Sequence, residues 1–188
     1  FLRNYLDKFL SEAINYSGIT KGMRVIEIGS NDGCMLKKIR ELGFCSVGFD
    51  PSAHQESEKV IKDYFSKKTA KKYVEEFGPV NLVVSRHTME HVFDVSDFMK
   101  GLKLILTNNG VACIEVPYLY HQMNRNQFQS MAHQHNSFFT ITSINNLCEI
   151  YGLTLKGYKF VDMDGGSIVL YIKKGKNSSR RDLDMMIP

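Results

Sequence analysis

The chain has 188 residues, 43% of them apolar, which suits one sizeable core and is short for two. A formal charge of +4 and a pI near 8.8 arise from Lys and Arg scattered among nearly as many acids. The small clusters at Lys67-Lys68, Lys71-Lys72 and Arg180-Arg181 make no basic stripe, so no nucleic-acid partner is expected, while the mild positive excess favours an anionic small substrate.

The four cysteines, Cys34, Cys45, Cys113 and Cys148, form no C-x-x-C pair, so neither a zinc knuckle nor a disulfide framework is expected. That pattern fits a reducing cytoplasm. No apolar run reaches membrane-span length and no signal-peptide pattern opens the chain, so no membrane partner is expected; the start at Phe1 leaves open whether flanking modules belong to the protein. Nothing in the pattern sets an oligomeric state.

In chain order, Tyr5, Leu6, Phe9, Leu10, Ala13 and Ile14 recur at helical spacing up to Gly18, predicting an amphipathic helix over residues 1–18. Arg24 to Ile28 is a β-branched strand closed by a glycine turn, and Met35, Leu36, Ile39 and Leu42 mark the helix that follows. The unit then repeats. Strand two is Cys45 to Phe49, followed by a helix after Pro51, a weak strand from Val60 to Phe65, and a helix through Ala70, Tyr73, Val74 and Phe77. Strand four, Val80 to Ser85, is nearly continuous apolar sequence; Asp94 caps the next helix, and Asn108-Asn109-Gly110 turns into strand five, Val111 to Val116. A polar segment over residues 117–142, longer than an idle connection, is expected to face a substrate. A helix from Ser143 to Tyr151 precedes two strands, Leu153 to Val161 and Ser167 to Lys173.

Strands alternating with helices predict an α/β fold with a doubly wound, mostly parallel sheet. Residues 1–174 are expected to form one domain, with 175–188 a tail or the start of a further C-terminal region. Ligands of such sheets bind beyond the carboxyl ends of the strands.

The run Glu27-Ile28-Gly29-Ser30-Asn31-Asp32-Gly33 sits at that position after strand one. Gly29 and Gly33 let a ligand approach the backbone, but their spacing is not that of G-x-G-x-x-G, which argues against a nicotinamide dinucleotide. The Glu27 carboxylate repels phosphate and suits a cationic ligand such as S-adenosylmethionine (SAM), while Asp50, ending strand two, can accept both hydroxyls of a ribose. The bland alternative is that the glycines only shape a turn and Asp50 only caps the helix after Pro51.

With Gly48-Phe49-Asp50-Pro51-Ser52, Gly78-Pro79, His91-Val92-Phe93-Asp94, Gln127-Phe128, His133-Gln134-His135 and Gly165-Gly166-Ser167, the chain resembles the SAM-dependent sugar C-methyltransferases, which act on nucleotide-linked 4-keto-deoxysugars. The resemblance runs from about Val25 to Leu170 and implies a Rossmann-like class I methyltransferase fold, a doubly wound, mostly parallel seven-stranded sheet with an antiparallel last strand. It implies that Glu27, Gly29, Ser30, Asn31, Gly33 and Asp50 line the SAM site, with Pro51 and Ser52 beside the ribose and His87 near the methionine end. It further implies that the histidine segment faces the sugar, with His133 and His135 catalytic and His135 the general base; the product cofactor is S-adenosylhomocysteine. A carbon beside a ketone is acidified by enolate formation, and a near-neutral imidazole can take its proton. The chain departs from the family pattern at Ala132, Gln134 and Asp164, where the family has tyrosine, glutamate and usually histidine.

Tyr118, Tyr120, Gln127 and Gln134 are the candidate substrate contacts, each with an alternative role in covering the core or holding the loop. Arg125 could meet a phosphate or carboxylate. No metal is expected: His133, His135 and His121 offer imidazoles, but no carboxylate or thiolate is obviously placed beside them. His91 reads as a packing or capping residue and His54 as a surface one. Two rival functions stay open, methyl transfer to oxygen or nitrogen of a small metabolite or glycan precursor, and a non-catalytic SAM-binding domain.

Overall fold

The computed structural model describes residues 2–53, 59–127 and 134–175. Its seven strands, β1 (Arg24–Ile28), β2 (Cys45–Phe49), β3 (Val60–Ile61), β4 (Val80–Arg86), β5 (Leu106–Pro117), β6 (Leu153–Val161) and β7 (Ser167–Lys174), form one sheet in the order β3-β2-β1-β4-β5-β7-β6. All neighbours pair in parallel except β7, which runs antiparallel to both β5 and β6. The order reverses beside β1: β2 lies on one side of it and β4 on the other, which opens a crevice at the carboxyl ends of these strands.

Helices cover both faces, as near-continuous apolar strands require. Against α1 (Leu2–Ser17) and α2 (Cys34–Glu41) lie Val25, Leu82, Val84, Val111 and Cys113, meeting Phe9, Leu10, Ala13, Met35 and Ile39. On the opposite face Ile26, Ile28, Val83, Ala112 and Ile114 pack with α3 (Lys67–Phe77), α4 (Val95–Ile105) and α6 (Ile141–Tyr151) through Tyr73, Phe98, Leu102 and Ile144. Alternation along a strand therefore sends Glu27, Arg86 and Glu115, at the strand ends, to the α1 side.

Local chemistry sets the helix ends. Ser66 and Thr140 each close a capping box with the hydroxyl three residues on, and the Asp94 side chain accepts the Asp97 N–H at the start of α4.

Several details differ from the sequence reading. Asn108-Asn109-Gly110 does not precede β5 but lies inside it: the register with β4 jumps from Val80↔Leu106 to Leu82↔Val111, so residues 107–110 bulge out of the ladder. Gly110 is required there because a Cβ would sit 2.9 Å from the Val80 carbonyl oxygen. The weak strand shrinks to Val60–Ile61, and a short helix α5 (Leu119–Asn124) occupies part of the polar segment. Five expectations fall outside the described residues: the helix after Pro51, the surface placement of His54, the catalytic role of His133, the Phe128 and Ala132 positions, and the tail after Gly175. Among the described residues no helix is long and apolar enough to cross a membrane.

Candidate functional site

A cleft of about 840 Å³ opens at the reversal point, within the range of small-molecule sites. Gly29, Asn31 and Asp50 line one end; His87, His91 and Gln134 line the other.

At the first end the backbone leaves β1 through two left-handed residues, Gly29 at φ 77° and Asn31 at φ 45°. A Cβ on Gly29 would stand 2.0 Å from Thr88 Oγ1, so this glycine is demanded first by the loop after β4 and only then by a ligand. Gly33, also left-handed, is the N-cap of α2, and neither it nor Ser30 lines the cleft. Ser30 is buried, its hydroxyl filling the space that a side chain on Gly48 would need.

Asp50 is almost fully buried and accepts the Asn31 N–H at 2.7 Å on one oxygen, and the Ser52 N–H and hydroxyl at 2.8 and 2.6 Å on the other. The turn-capping role and the ligand-facing position thus coexist, since a carboxylate oxygen can accept more than one donor. Pro51 and Ser52 line the cleft beside it.

Glu27 stands behind the glycine turn at 5% exposure, and its Oε2 has no hydrogen-bond partner among the described residues. Burial, and then the charges of Asp32 and Asp50, push its pKa up to about 8, against the pull of the Leu36 N–H and Arg86. A buried carboxylate lacking a partner is a site for a cation. These residues therefore fit SAM: an orphaned acid for its positive charge, a second acid with spare acceptor capacity, and a turn that brings backbone to the cleft.

The other end is an ionic network that the sequence reading did not anticipate. Glu115, fully buried at the end of β5, accepts from Tyr5 at 3.0 Å, Arg86 Nε at 2.5 Å and His87 Nε2 at 3.2 Å. Burial would raise its pKa, but the bonds from His87 and Arg86 outweigh that and hold it below the usual value. Arg86 also lies 4.9 Å over the Tyr5 ring, so α1 is tied to the floor of the site. His87 adopts φ 47°, unusual for a side chain with a Cβ, and meets Glu90 at 3.3 Å and Asp164 at 3.0 Å as well as Glu115. Burial opposes its charge, yet the bonds to Glu115 and Glu90 push its pKa up to about 9. The residue expected near the methionine end is thus an imidazolium held by three acids.

The single 3-10 turn Met89–His91 continues from His87, and the chain returning at residue 134 docks on it. The Glu90 carbonyl accepts the N–H groups of Asn136 and Ser137 at 2.8 and 3.1 Å, the His91 carbonyl accepts Asn136 Nδ2 at 2.7 Å, and His91 Nδ1 meets the Gln134 carbonyl at 2.8 Å. His135 is thereby brought beside His91, ring centroids 5.0 Å apart. The donor atoms of Glu90, His91 and His135 converge, so a carboxylate stands beside His135; of the other histidines weighed with it, His121 is not in this set and His133 lies outside the described residues.

Five further candidates are not among the cleft-lining residues: Glu27 behind the glycine turn, His135 beside His91, and Tyr118, Tyr120 and Gln127. Tyr118 packs among Tyr120, His121 and Phe160, Tyr120 is mostly exposed, and Gln127 lies against Gly165. Arg125 pairs with Asp162 at 2.5 Å. Two exposed aromatic residues line the cleft, Tyr64, which the sequence reading passed over, and Phe93, which it quoted in a motif without a role; they stand shortly before the helix caps Ser66 and Asp94.

Known proteins resemble the chain in fold and in sequence family. A family described as a methyltransferase domain matches residues 1–156. The C-methyltransferase NovU of Streptomyces niveus is 30% identical over 173 residues, covering 89% of this chain and 41% of that protein. A ubiquinone biosynthesis O-methyltransferase of Bradyrhizobium diazoefficiens is 28% identical over 116 residues, covering 56% of this chain and 42% of that protein. The chain thus spans about two fifths of the length of these curated relatives. Among solved structures, the 1,6-didemethyltoxoflavin-N1-methyltransferase of Burkholderia thailandensis with bound S-adenosylhomocysteine superimposes with a TM-score of 0.67 at 12% identity, over 91% of this chain and 78% of that one. A SAM-dependent methyltransferase of Geobacter sulfurreducens in complex with S-adenosylhomocysteine gives 0.61 at 14% identity, over 89% and 90%.

Proposed function

The chain belongs to the methyltransferase domain family, with SAM as its cofactor, and on that premise we propose that it methylates a carbon next to the ketone of a nucleotide-linked deoxysugar, with His135 as general base. The observation that carries this reading is the docking of His135 against His91, whose ring lines the same cleft as Gly29 and Asp50. The likeness to a C-methyltransferase supports carbon as the acceptor atom.

Bound SAM supplies an electrophilic methyl on a positively charged sulfur. Asp50 receives the ribose hydroxyls on its spare lone pairs, and the orphaned Glu27 oxygen balances the cofactor's positive charge. Tyr64 and Phe93 offer flat apolar faces to rings in the cleft. His135 would take the proton from the carbon beside the ketone, leaving a nucleophilic enolate carbon for the methyl that SAM would supply, with S-adenosylhomocysteine as the leaving thioether. The His87 ring, both of its nitrogens engaged by Glu90, Glu115 and Asp164, holds the loop after β4 in place at the same end. The net charge of +4 favours a diphosphate-bearing acceptor. His133, Tyr118, Tyr120, Gln127 and Gln134 remain candidates for the acceptor side, Gln134 alone of these lining the cleft.

The likeness to an O-methyltransferase favours a second reading, transfer to oxygen. Deuterium exchange separates the two. With S-adenosylhomocysteine bound, a carbon base exchanges the proton beside the ketone of a nucleotide-linked 4-keto-deoxysugar with solvent, whereas an oxygen methyltransferase leaves that carbon untouched. In His135→Ala both exchange and methylation are expected to fall by about 10²- to 10⁴-fold while SAM binding is kept. Exchange at an unchanged rate in the variant would sink the base assignment.

A further inference from the structure

Glu90, His91 and His135 each offer one donor atom, and the three atoms lie within 4.8 Å of one another. Donors around one zinc-sized ion stand roughly 3.3 Å apart, given metal-ligand distances of about 2.0–2.2 Å, so the half-buried rings close on an ion by small rotations. Two imidazoles and a carboxylate suit zinc, cobalt or nickel rather than magnesium or calcium, which prefer all-oxygen sets.

Further observations point to a ligand there. Glu90 is 1% exposed, and while His87 engages its Oε1, its Oε2 is buried with no partner among the described residues. A cation is the partner that such an oxygen lacks. The hydrogen bond from His91 Nδ1 to the Gln134 carbonyl places the ring proton on Nδ1 and leaves the Nε2 lone pair for a metal, the arrangement usual for ligating histidines. Asn136 and Ser137, bonded to the Glu90 and His91 carbonyls, hold His135 against the turn that carries the other two. Three protein donors leave a coordination position open toward the cleft that His91 and Gln134 line.

We propose that Glu90, His91 and His135 bind a divalent transition ion of the zinc type, and that the bound ion withholds the His135 nitrogen from proton abstraction and so reversibly inhibits methyl transfer. The binding stands on geometry alone; the inhibition rests on His135 being the base. Cobalt(II), added to chelator-treated protein, reads the site without any acceptor. The expected result is saturation at one equivalent with the intense visible absorption of a tetrahedral ion, and at least tenfold weaker binding in both Glu90→Gln and His91→Ala, each of which still binds SAM as evidence of folding. No saturable absorption, or equal affinity in both variants, overturns the site. With zinc filling it, turnover is expected to be lost and to return on chelation. Turnover unchanged with the site filled overturns the inhibition, and deuterium exchange by the metal-free protein decides separately whether His135 is the base.

Discussion

At the proposed cofactor end, Glu27, Gly29, Asn31 and Asp50 come from two adjacent parallel strands and the turns leaving them, whereas the proposed acceptor end gathers Tyr5, His87, Glu90, Glu115, His135 and Asp164 from five separate stretches of chain. The first is stiff because its shape is set by left-handed backbone and strand pairing. The second is held by side-chain bonds between distant segments, many of them ionic. Substitutions at the two ends should therefore fail differently, the first through folding and cofactor affinity, the second through turnover.

The largest effect is expected for Gly29→Ala. A Cβ at φ 77° would strain the backbone and collide with Thr88, and a loss of about 2–4 kcal/mol is expected, with SAM binding abolished. Chemical denaturation checks this. A stability within 0.5 kcal/mol of the parent, about the change a neutral surface substitution makes, would show that the turn is not the rigid element claimed.

Next is Asp50→Ala. Losing hydrogen bonds to a charged acceptor, each worth about 1.5–3 kcal/mol, should weaken SAM by on the order of 10- to 100-fold in calorimetry, with the turn at Ser52 loosened as well. Retained affinity would reduce Asp50 to its capping role.

Glu27 sharpens the comparison through pH. Its pKa is raised from 4.5 to about 8 in the ligand-free protein, so its contribution to stability is present below the unfolded value and is lost as pH rises through about 8. A bound cation favours the ionised form. Cofactor affinity should accordingly climb by up to about tenfold per unit between pH 6 and 7.5, below the titration of the cofactor's own amino group, with protons released on binding. In Glu27→Gln that slope should vanish, the affinity should be low throughout, and the ligand-free protein should be more stable at pH 8. A slope that survives the substitution would assign it to another group.

The smallest effect is expected for Asn136→Ala, which removes one bond to the His91 carbonyl. Stability should fall by about 1 kcal/mol and SAM affinity should hold, while turnover drops because His135 is no longer fixed against the turn. Equal losses in SAM binding and turnover would mean that the two ends are not independent.

How much of this was legible in the residues follows the same division. The glycine turn, the acid ending β2 and the alternation of strands and helices could be read directly, because strand pairing and positive φ leave short-range traces in residue type. Glu115 was invisible because it ends an apolar strand and its partners lie at Tyr5, Arg86 and His87. Glu90 and His91 occupy a single 3-10 turn, too short to show a period, and their association with residues 134–137 spans more than forty positions. Asn108-Asn109-Gly110 has the composition of a turn, yet it became a bulge within β5, since pairing on both sides of it kept the strand continuous.

By itself, then, the sequence determined an α/β methyltransferase fold and singled out the turn after β1 and the acid closing β2 as candidates for SAM, since those rest on local periodicity and turn chemistry. Only the tertiary structure decided that acids surround His87 and raise its pKa, that Glu90 stands beside His91 and His135, and that α1 anchors the site through Tyr5. Those properties depend on burial and on distances between side chains remote in sequence, which no local pattern encodes.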